Sequence, residues 1–203
     1  DSCKKIKTST LTLEEIVPLI IEESNQNKNV VRLHDGDPCL FGAISEQICA
    51  LTQAGLEVEV IPGISAYQAT AATLGKELTI PGLVQTIILG RASGVTGVPT
   101  NESLENLASI KASLCIYLSA RHVDDVQDKL LKYYPEDTSV AIGYRVSWPD
   151  EKITVVPLKE MAATSKKMKL FRTTLYIVSP ALNTTNSRSK LYSPSHNHLF
   201  RQN

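Results

Sequence analysis

Two apolar runs in the first part of the chain each break into a turn and then enter a helix-periodic segment. Val30-Val31-Arg32-Leu33 leads into His34-Asp35-Gly36-Asp37-Pro38, and Leu56-Glu57-Val58-Glu59-Val60-Ile61 leads into Pro62-Gly63-Ile64-Ser65. After the first turn, Ile44, Ile48 and Leu51 recur at helical spacing and Gly55 supplies a stop. After the second, Ser65 is placed to cap an alanine-rich run from Ala66 to Leu74 that ends at Gly75. Strand, tight turn, helix, and then the same again, is the pattern of an α/β sheet with ligand-facing turns along one edge.

The remaining segments fit that class. Thr12-Leu13-Glu14-Glu15 has capping-box spacing, and Ile16, Val17, Ile20 and Ile21 continue one apolar face, although Pro18 predicts a kink or a later start. Residues 77–83, with Thr79, Pro81 and Gly82, lack periodicity and read as a linker between an N-terminal α/β domain (1–80) and a C-terminal one (84–182). In the second domain, strands are expected at 84–89, 113–118, 139–144, 153–156 and 174–178. Helices are expected at 102–110, 123–131 and 159–169, and the polar residues 183–203 read as an extended tail.

Composition limits the partners. The 203 residues are 42% apolar, enough for a real core, and the formal net charge is zero, so no global field draws the chain to nucleic acid or an anionic membrane. Any anionic ligand has to be met by a local cluster. The four cysteines form no CxxC pair, which argues for reduced thiols in a cytoplasmic protein and against zinc. No apolar run has the length of a membrane span, and nothing at the start reads as a signal peptide. A polar start at Asp1 suggests that upstream sequence is missing.

Chemistry-bearing residues are sparse. In Gly36-Asp37-Pro38 the glycine allows close backbone approach, the proline stiffens the turn, and the carboxylate accepts hydrogen bonds from hydroxyl or ammonium groups. Taken alone, the tripeptide is more often an ordinary turn than a site. Pro62-Gly63-Ile64-Ser65 offers N–H groups at a helix start, with a plain cap as the bland alternative. The Gly-rich loop 90–97 carries neither a GxGxxG pattern nor a P-loop, and Arg91 is its carboxylate-binding residue. Trp148 precedes a proline and reads as a packing anchor. His34 and His122 are isolated, His196 and His198 lie in the tail, and no metal set or nucleophilic triad is legible.

The order Val-Val-Arg-Leu-His-Asp-Gly-Asp-Pro (30–38), followed by Phe41-Gly42-Ala43-Ile44, Ile61-Pro62-Gly63-Ile64-Ser65, Gln85-Thr86-Ile87-Ile88-Leu89 and Ser147-Trp148-Pro149-Asp150-Glu151, resembles the tetrapyrrole methylase family. So does the ending Leu191-Tyr192-Ser193-Pro194 with His198-Leu199-Phe200-Arg201. The likeness is narrowest to the branch that methylates carbon 11 of precorrin-4 in cobalamin synthesis. It implies a two-domain α/β fold with parallel or mixed sheets flanked by helices, S-adenosylmethionine as cofactor in the cleft between domains, a tetrapyrrole substrate and a homodimer. Carried over by motif, Gly36, Asp37 and Leu40 hold the methionine part or ribose of the cofactor, and Ser65 and Ala66 contact it from the second turn. Leu118 and Val146, matched by position, face the adenosyl group. The substrate is rich in carboxylates, so His34, Arg91, Arg121 and Arg145, with Trp148, are expected to form a local basic rim.

Three departures from the family pattern stand out. Asp35 replaces the usual threonine before Gly36-Asp37, and Val95 stands where the substrate loop usually has an arginine. The family's opening strand and Gly-rich loop have no counterpart, so the chain reads as N-terminally truncated. The rival expectation is a degenerate module of the same fold that binds a tetrapyrrole or nucleotide without turnover.

Overall fold

The computed structural model describes residues 3–92 and 97–184. Contacts divide the chain into two compact units, Asp1–Ser65 and Ala66–Asn203.

The first unit is built on two packed helices, α1 (Leu13–Asn25) and α2 (Ile44–Gln53), with Ile16 and Leu51 buried. The capping box forms as read: Glu15 Oε2 accepts from the N–H of Thr12 at 2.8 Å. The helix starts at Leu13 and carries Pro18 inside it, so the later start is not needed. α2 ends in a Schellman arrangement, with Gly55 at φ 81° and Leu56 N–H donating to the Leu51 carbonyl at 3.1 Å. The expected strands at 30–33 and 56–61 do not form a ladder. Alternating residues supply a strand's side-chain pattern, but its hydrogen bonds come from a neighbour, and these segments have none among the described residues. Val31 and Leu33 are accordingly 76% and 79% exposed.

The second unit holds a five-stranded sheet in the order β1-β2-β5-β3-β4. The strands are β1 (Ile87–Arg91), β2 (Ser113–Tyr117), β3 (Ser139–Tyr144), β4 (Lys152–Pro157) and β5 (Thr174–Val178). β1 and β2 pair in parallel, and the other neighbours are antiparallel. Helices α4 (Leu104–Ser109), α5 (Val123–Leu130) and α6 (Met161–Lys167) cover one face, burying Leu114, Ile116, Val140, Ile142, Tyr176 and Val178. The other face (Cys115, Ala141, Leu175, Ile177) is covered by α3 (Ala66–Leu74) with Leu78 and Leu182. Burial on both faces explains why β2, β3 and β5 read as continuous apolar runs, whereas β4 at the edge leaves Lys152 and Val155 exposed.

The cover on that second face also fixes the division of the chain. Ala66, Tyr67, Ala71 and Leu74 pack onto the second unit's sheet, so α3 belongs there and not to a domain spanning 1–80. The aperiodic stretch 77–83 is folded: Leu78 and Ile80 are buried, and Ile80 and Val84 exchange backbone hydrogen bonds around Gly82 at φ 77°. That turn delays β1 to Ile87. Helix α4 likewise starts at Leu104, after a 3₁₀ turn at Thr100–Glu102, because Ser103 Oγ accepts from Asn106 N–H at 3.2 Å. A further 3₁₀ turn (Pro180–Asn183) follows β5, and the remainder of the expected tail lies outside the described residues.

Candidate functional site: two sets of turns

In the first unit, the two turns read from sequence meet at Asp37. Its Oδ1 accepts from Cys39 N–H at 2.8 Å, closing its own turn, and its Oδ2 accepts from Gly63 N–H at 2.9 Å. A carboxylate has about four lone-pair positions, so each oxygen keeps one for a further donor. The backbones are nearly in contact: a Cβ on Gly63 would stand 2.1 Å from the Gly36 carbonyl oxygen. Gly36 itself is at φ 67°, a left-handed conformation that favours glycine. Leu40 is half-buried and donates its N–H to the Asp37 carbonyl at 3.2 Å, while Ser65, at the end of the second turn, is buried. His34 is half-buried, and its pKa is pushed down first by that burial and then by Arg32, against an upward pull from Asp35. That shift favours the neutral, hydrogen-bonding imidazole over the cation.

In the second unit, the sheet topology collects the other expected residues along one edge. β1, β2 and β3 run in the same sense, so the residues leaving their carboxyl ends lie together, where an α/β sheet places ligands. Arg91 ends β1, Leu118 and Arg121 follow β2, and Arg145, Val146 and Trp148 follow β3. The backbone there is strained. Leu118, Arg145 and Ser147 are non-glycine residues at φ 54°, 47° and 69°, and Leu118 is 69% exposed. Such conformations cost on the order of 1–3 kcal/mol each, and others in the chain, Asn27, Lys111 and Lys169 among them, lie away from this edge.

The turn after β3 is cross-linked to itself. Arg145 pairs with Asp150 at 3.0 Å, and its guanidinium lies 4.2 Å from the centroid of the Trp148 ring. Ser147 N–H donates to Glu151 Oε2 at 2.6 Å, and Arg145 N–H donates to the Thr173 carbonyl at 2.9 Å. Trp148 is therefore both an anchor for Arg145 and a half-open surface. Arg91 donates to the Gly97 carbonyl at 2.8 Å, while Arg121 is exposed in a 3₁₀ turn (Ala120–His122). Val95 and the tail histidines lie outside the described residues. Among the described residues no group of three or more His, Cys, Asp or Glu gathers to hold a metal, and no helix is long and apolar enough to cross a membrane.

Some ties were invisible in the sequence. The Tyr117 hydroxyl accepts from Tyr67 N–H at 3.2 Å, joining the end of β2 to the first turn of α3. Thr70 of α3 seats against Gly143 of β3. Both pairs are distant in sequence, and no local pattern announces them. The spacing of Asp150 and Glu151 after Arg145 was the one available signal, because acids at that distance reach back across a turn.

A sheet covered on both faces by helices, with strained turns at the carboxyl ends of its strands and glycine turns locked by a carboxylate, defines an α/β ligand-binding enzyme fold. The chain belongs to the tetrapyrrole (corrin/porphyrin) methylase family, whose model matches residues 2–162. It is 41% identical to the cobalt-precorrin-4 C(11)-methyltransferase of Methanocaldococcus jannaschii, over 96% of this chain and 76% of that protein. It is 39% identical to the precorrin-4 C(11)-methyltransferase of Pseudomonas aeruginosa, over 97% of this chain and 79% of that protein. Among solved structures, a cobalt precorrin-4 methyltransferase superposes with a TM-score of 0.84 at 36% identity, covering 88% of this chain and 75% of that one. A Thermus thermophilus uroporphyrin-III C-methyltransferase complexed with S-adenosylhomocysteine gives 0.67 at 26% identity, with coverages of 83% and 74%.

Proposed function

We propose that this protein transfers a methyl group from S-adenosylmethionine to carbon 11 of precorrin-4, or of its cobalt-containing form, in cobalamin biosynthesis. What carries the proposal is likeness over nearly the whole chain to enzymes bearing that name, from both the cobalt and the metal-free series. The residues suit the cofactor. Asp37 keeps acceptor capacity for ribose hydroxyls or an ammonium group, and Gly36 and Leu40 present backbone beside it. Ser65 and Ala66 would add contacts from the second turn, and Leu118 and Val146 an apolar wall for the adenosyl part.

S-adenosylmethionine supplies a methyl group already activated on a sulfonium sulfur. The side chains are left to bind, to orient the reacting carbon and to exclude water. The distribution of perturbed groups agrees. Cys115, Tyr134 and Tyr176 are raised by burial in the sheet's core, and His34 alone among the shifted groups stands at a candidate site residue. Arg91, Arg121 and Arg145, with Trp148, would meet the substrate carboxylates. We take the working form to be a cytoplasmic homodimer acting on free tetrapyrrole, in keeping with zero net charge.

The test is calorimetric titration of the full chain with S-adenosylhomocysteine, followed by methyl transfer to precorrin-4 and to cobalt-precorrin-4 by mass spectrometry. Binding and gain of one methyl group are expected. Absence of binding overturns the proposal. Binding without transfer favours a degenerate module, the reading that Asp35 supports.

A further inference from the structure

Helix α3 meets the sheet at a point where a missing side chain decides the geometry. Gly143 is next to last in β3, and a Cβ built on it would stand 2.8 Å from Oγ1 of Thr70 and 2.9 Å from Cγ2 of Val146. Thr70 is fully buried in α3, and among the described residues its hydroxyl is the buried side-chain polar atom without a hydrogen-bond partner. Three residues, from α3, from β3 and from the left-handed turn after β3, thus close on the volume of one methyl group. A second tie lies at the start of α3, where the Tyr117 hydroxyl accepts from Tyr67 N–H at 3.2 Å. The helix is fixed at two levels, against the end of β2 and against the end of β3.

Gly143 brings no side chain to the sheet, although its backbone pairs with Ile153 of β4 and Leu175 of β5. A glycine inside a strand weakens it and marks a place where another part of the chain comes close. Both neighbours of the missing Cβ are β-branched, with little rotamer freedom to move aside. An added methyl would therefore displace α3 or the Val146 turn. These elements carry Ala66 and Val146, and Leu118 directly follows Tyr117.

On the S-adenosylmethionine reading above, we propose that Gly143 is a positioning residue. Its bare Cα lets Thr70 seat on β3, and so sets the spacing between the first turn of α3 and the Val146 turn, which together form the second unit's share of the adenosyl site.

The test compares S-adenosylhomocysteine affinity, by calorimetry on the full chain, for wild type, Gly143→Ala, Thr70→Ala/Gly143→Ala and Tyr117→Phe. Gly143→Ala should weaken binding by roughly tenfold or more, with KM for S-adenosylmethionine rising and kcat at saturation nearly kept. The double variant should recover part of that loss, because Thr70→Ala removes the contact with Oγ1 while the contact with Val146 Cγ2 remains. Tyr117→Phe, which removes one hydroxyl and no core volume, should weaken binding several-fold with an unchanged circular dichroism spectrum. Wild-type affinity in Gly143→Ala, or no recovery in the double variant, overturns the proposal. If Gly143→Ala does not fold, wild-type affinity in Tyr117→Phe overturns it instead. A wild-type chain that binds no S-adenosylhomocysteine marks failure of the functional reading itself, a separate result.

Discussion

Asp37 and Gly63 are joined by a hydrogen bond of 2.9 Å from the glycine N–H to Oδ2, while Oδ1 of the same carboxylate takes the Cys39 N–H at 2.8 Å. One side chain therefore closes its own turn and fastens the next one, across 26 residues of sequence. Hydrogen bonds to an ionised acceptor contribute about 1.5–3 kcal/mol each. The Cys39 bond is exposed and adds little, so Asp37→Ala should destabilise the first unit by about 1.5–3 kcal/mol through the part-buried Gly63 bond and release the Gly63 amide to rapid hydrogen exchange. Asp37→Asn, which keeps one acceptor oxygen, should fall between wild type and alanine. Unchanged protection at Gly63 in Asp37→Ala would show that the turns are held by something else.

Gly63→Ala should be worse than the aspartate changes. Its Cβ would meet backbone, the Gly36 carbonyl oxygen at 2.1 Å, and a backbone atom cannot swing away as a side chain can. Gly42 is in the same position against the Pro38 carbonyl, also at 2.1 Å. Overpacking of this kind costs about 1–3 kcal/mol or more. Gly55→Ala is the control. Its φ is 81° but nothing lies within 4 Å of a new Cβ, so the cost should be the conformational one alone, about 1 kcal/mol. Urea midpoints for the three variants should rank in that order, with Gly55→Ala nearest wild type.

These contacts show what the sequence disclosed and what it withheld. The glycine turns and the Schellman stops are legible because each depends on residues close in the chain, and the second unit's strands because they carry long apolar runs. The segments 30–33 and 56–61 suit a strand in sequence but form none among the described residues, because alternation reports only that a segment suits a sheet, and pairing is a property of its neighbour. A unit boundary is hard to see in sequence here, because α3 is covalently next to the first unit yet shares its apolar face with Cys115 and Ile177 of the second. The arginines stand out in the sequence by residue type, but a sequence does not show that Asp150 already pairs with Arg145.

That occupancy ranks the three arginines. Arg145 is paired with Asp150 and stacked on Trp148, and Arg91 already donates to the Gly97 carbonyl, whereas Arg121 is exposed in its turn. Arg121→Ala should therefore weaken binding of a polycarboxylate tetrapyrrole more than Arg145→Ala, by about tenfold against about threefold at low salt. Quenching of Trp148 fluorescence by uroporphyrin gives the affinities for both variants, and the difference should shrink as salt screens the exposed charge. The reverse order would mean that Asp150 releases Arg145 when the tetrapyrrole binds.

Thr70 offers a stabilising change. A buried hydroxyl without a partner carries an uncompensated desolvation penalty of about 1–3 kcal/mol, and valine has nearly the same outline. Thr70→Val should raise the melting temperature by roughly 2–4 °C for each kcal/mol regained. The seat against Gly143 is a matter of shape, so S-adenosylhomocysteine affinity should not change. A fall in affinity with a raised melting temperature would assign the hydroxyl a bond to ligand or to a bound water.

The core of the second unit should make the protein sensitive to alkali. Burial pushes the Cys115 thiol up to about 12 from 9.0, and burial with the nearby thiol pushes Tyr134 up to about 12 from 10.0. In the unfolded chain both groups ionise near their ordinary values, while the folded chain keeps both protons. Stability from this source is fully present below pH 9 and is lost progressively as pH rises from 9 towards 12, because the unfolded state alone gains from releasing protons. Urea midpoints measured at intervals from pH 7 upward should be flat to pH 9 and then fall, and Cys115→Ala should make that fall shallower. Iodoacetamide at pH 8 should label the exposed Cys3, Cys39 and Cys49 and leave Cys115 unmodified until urea unfolds the sheet. Labelling of Cys115 at the rate of the exposed thiols would mean that β2 opens locally, without global unfolding.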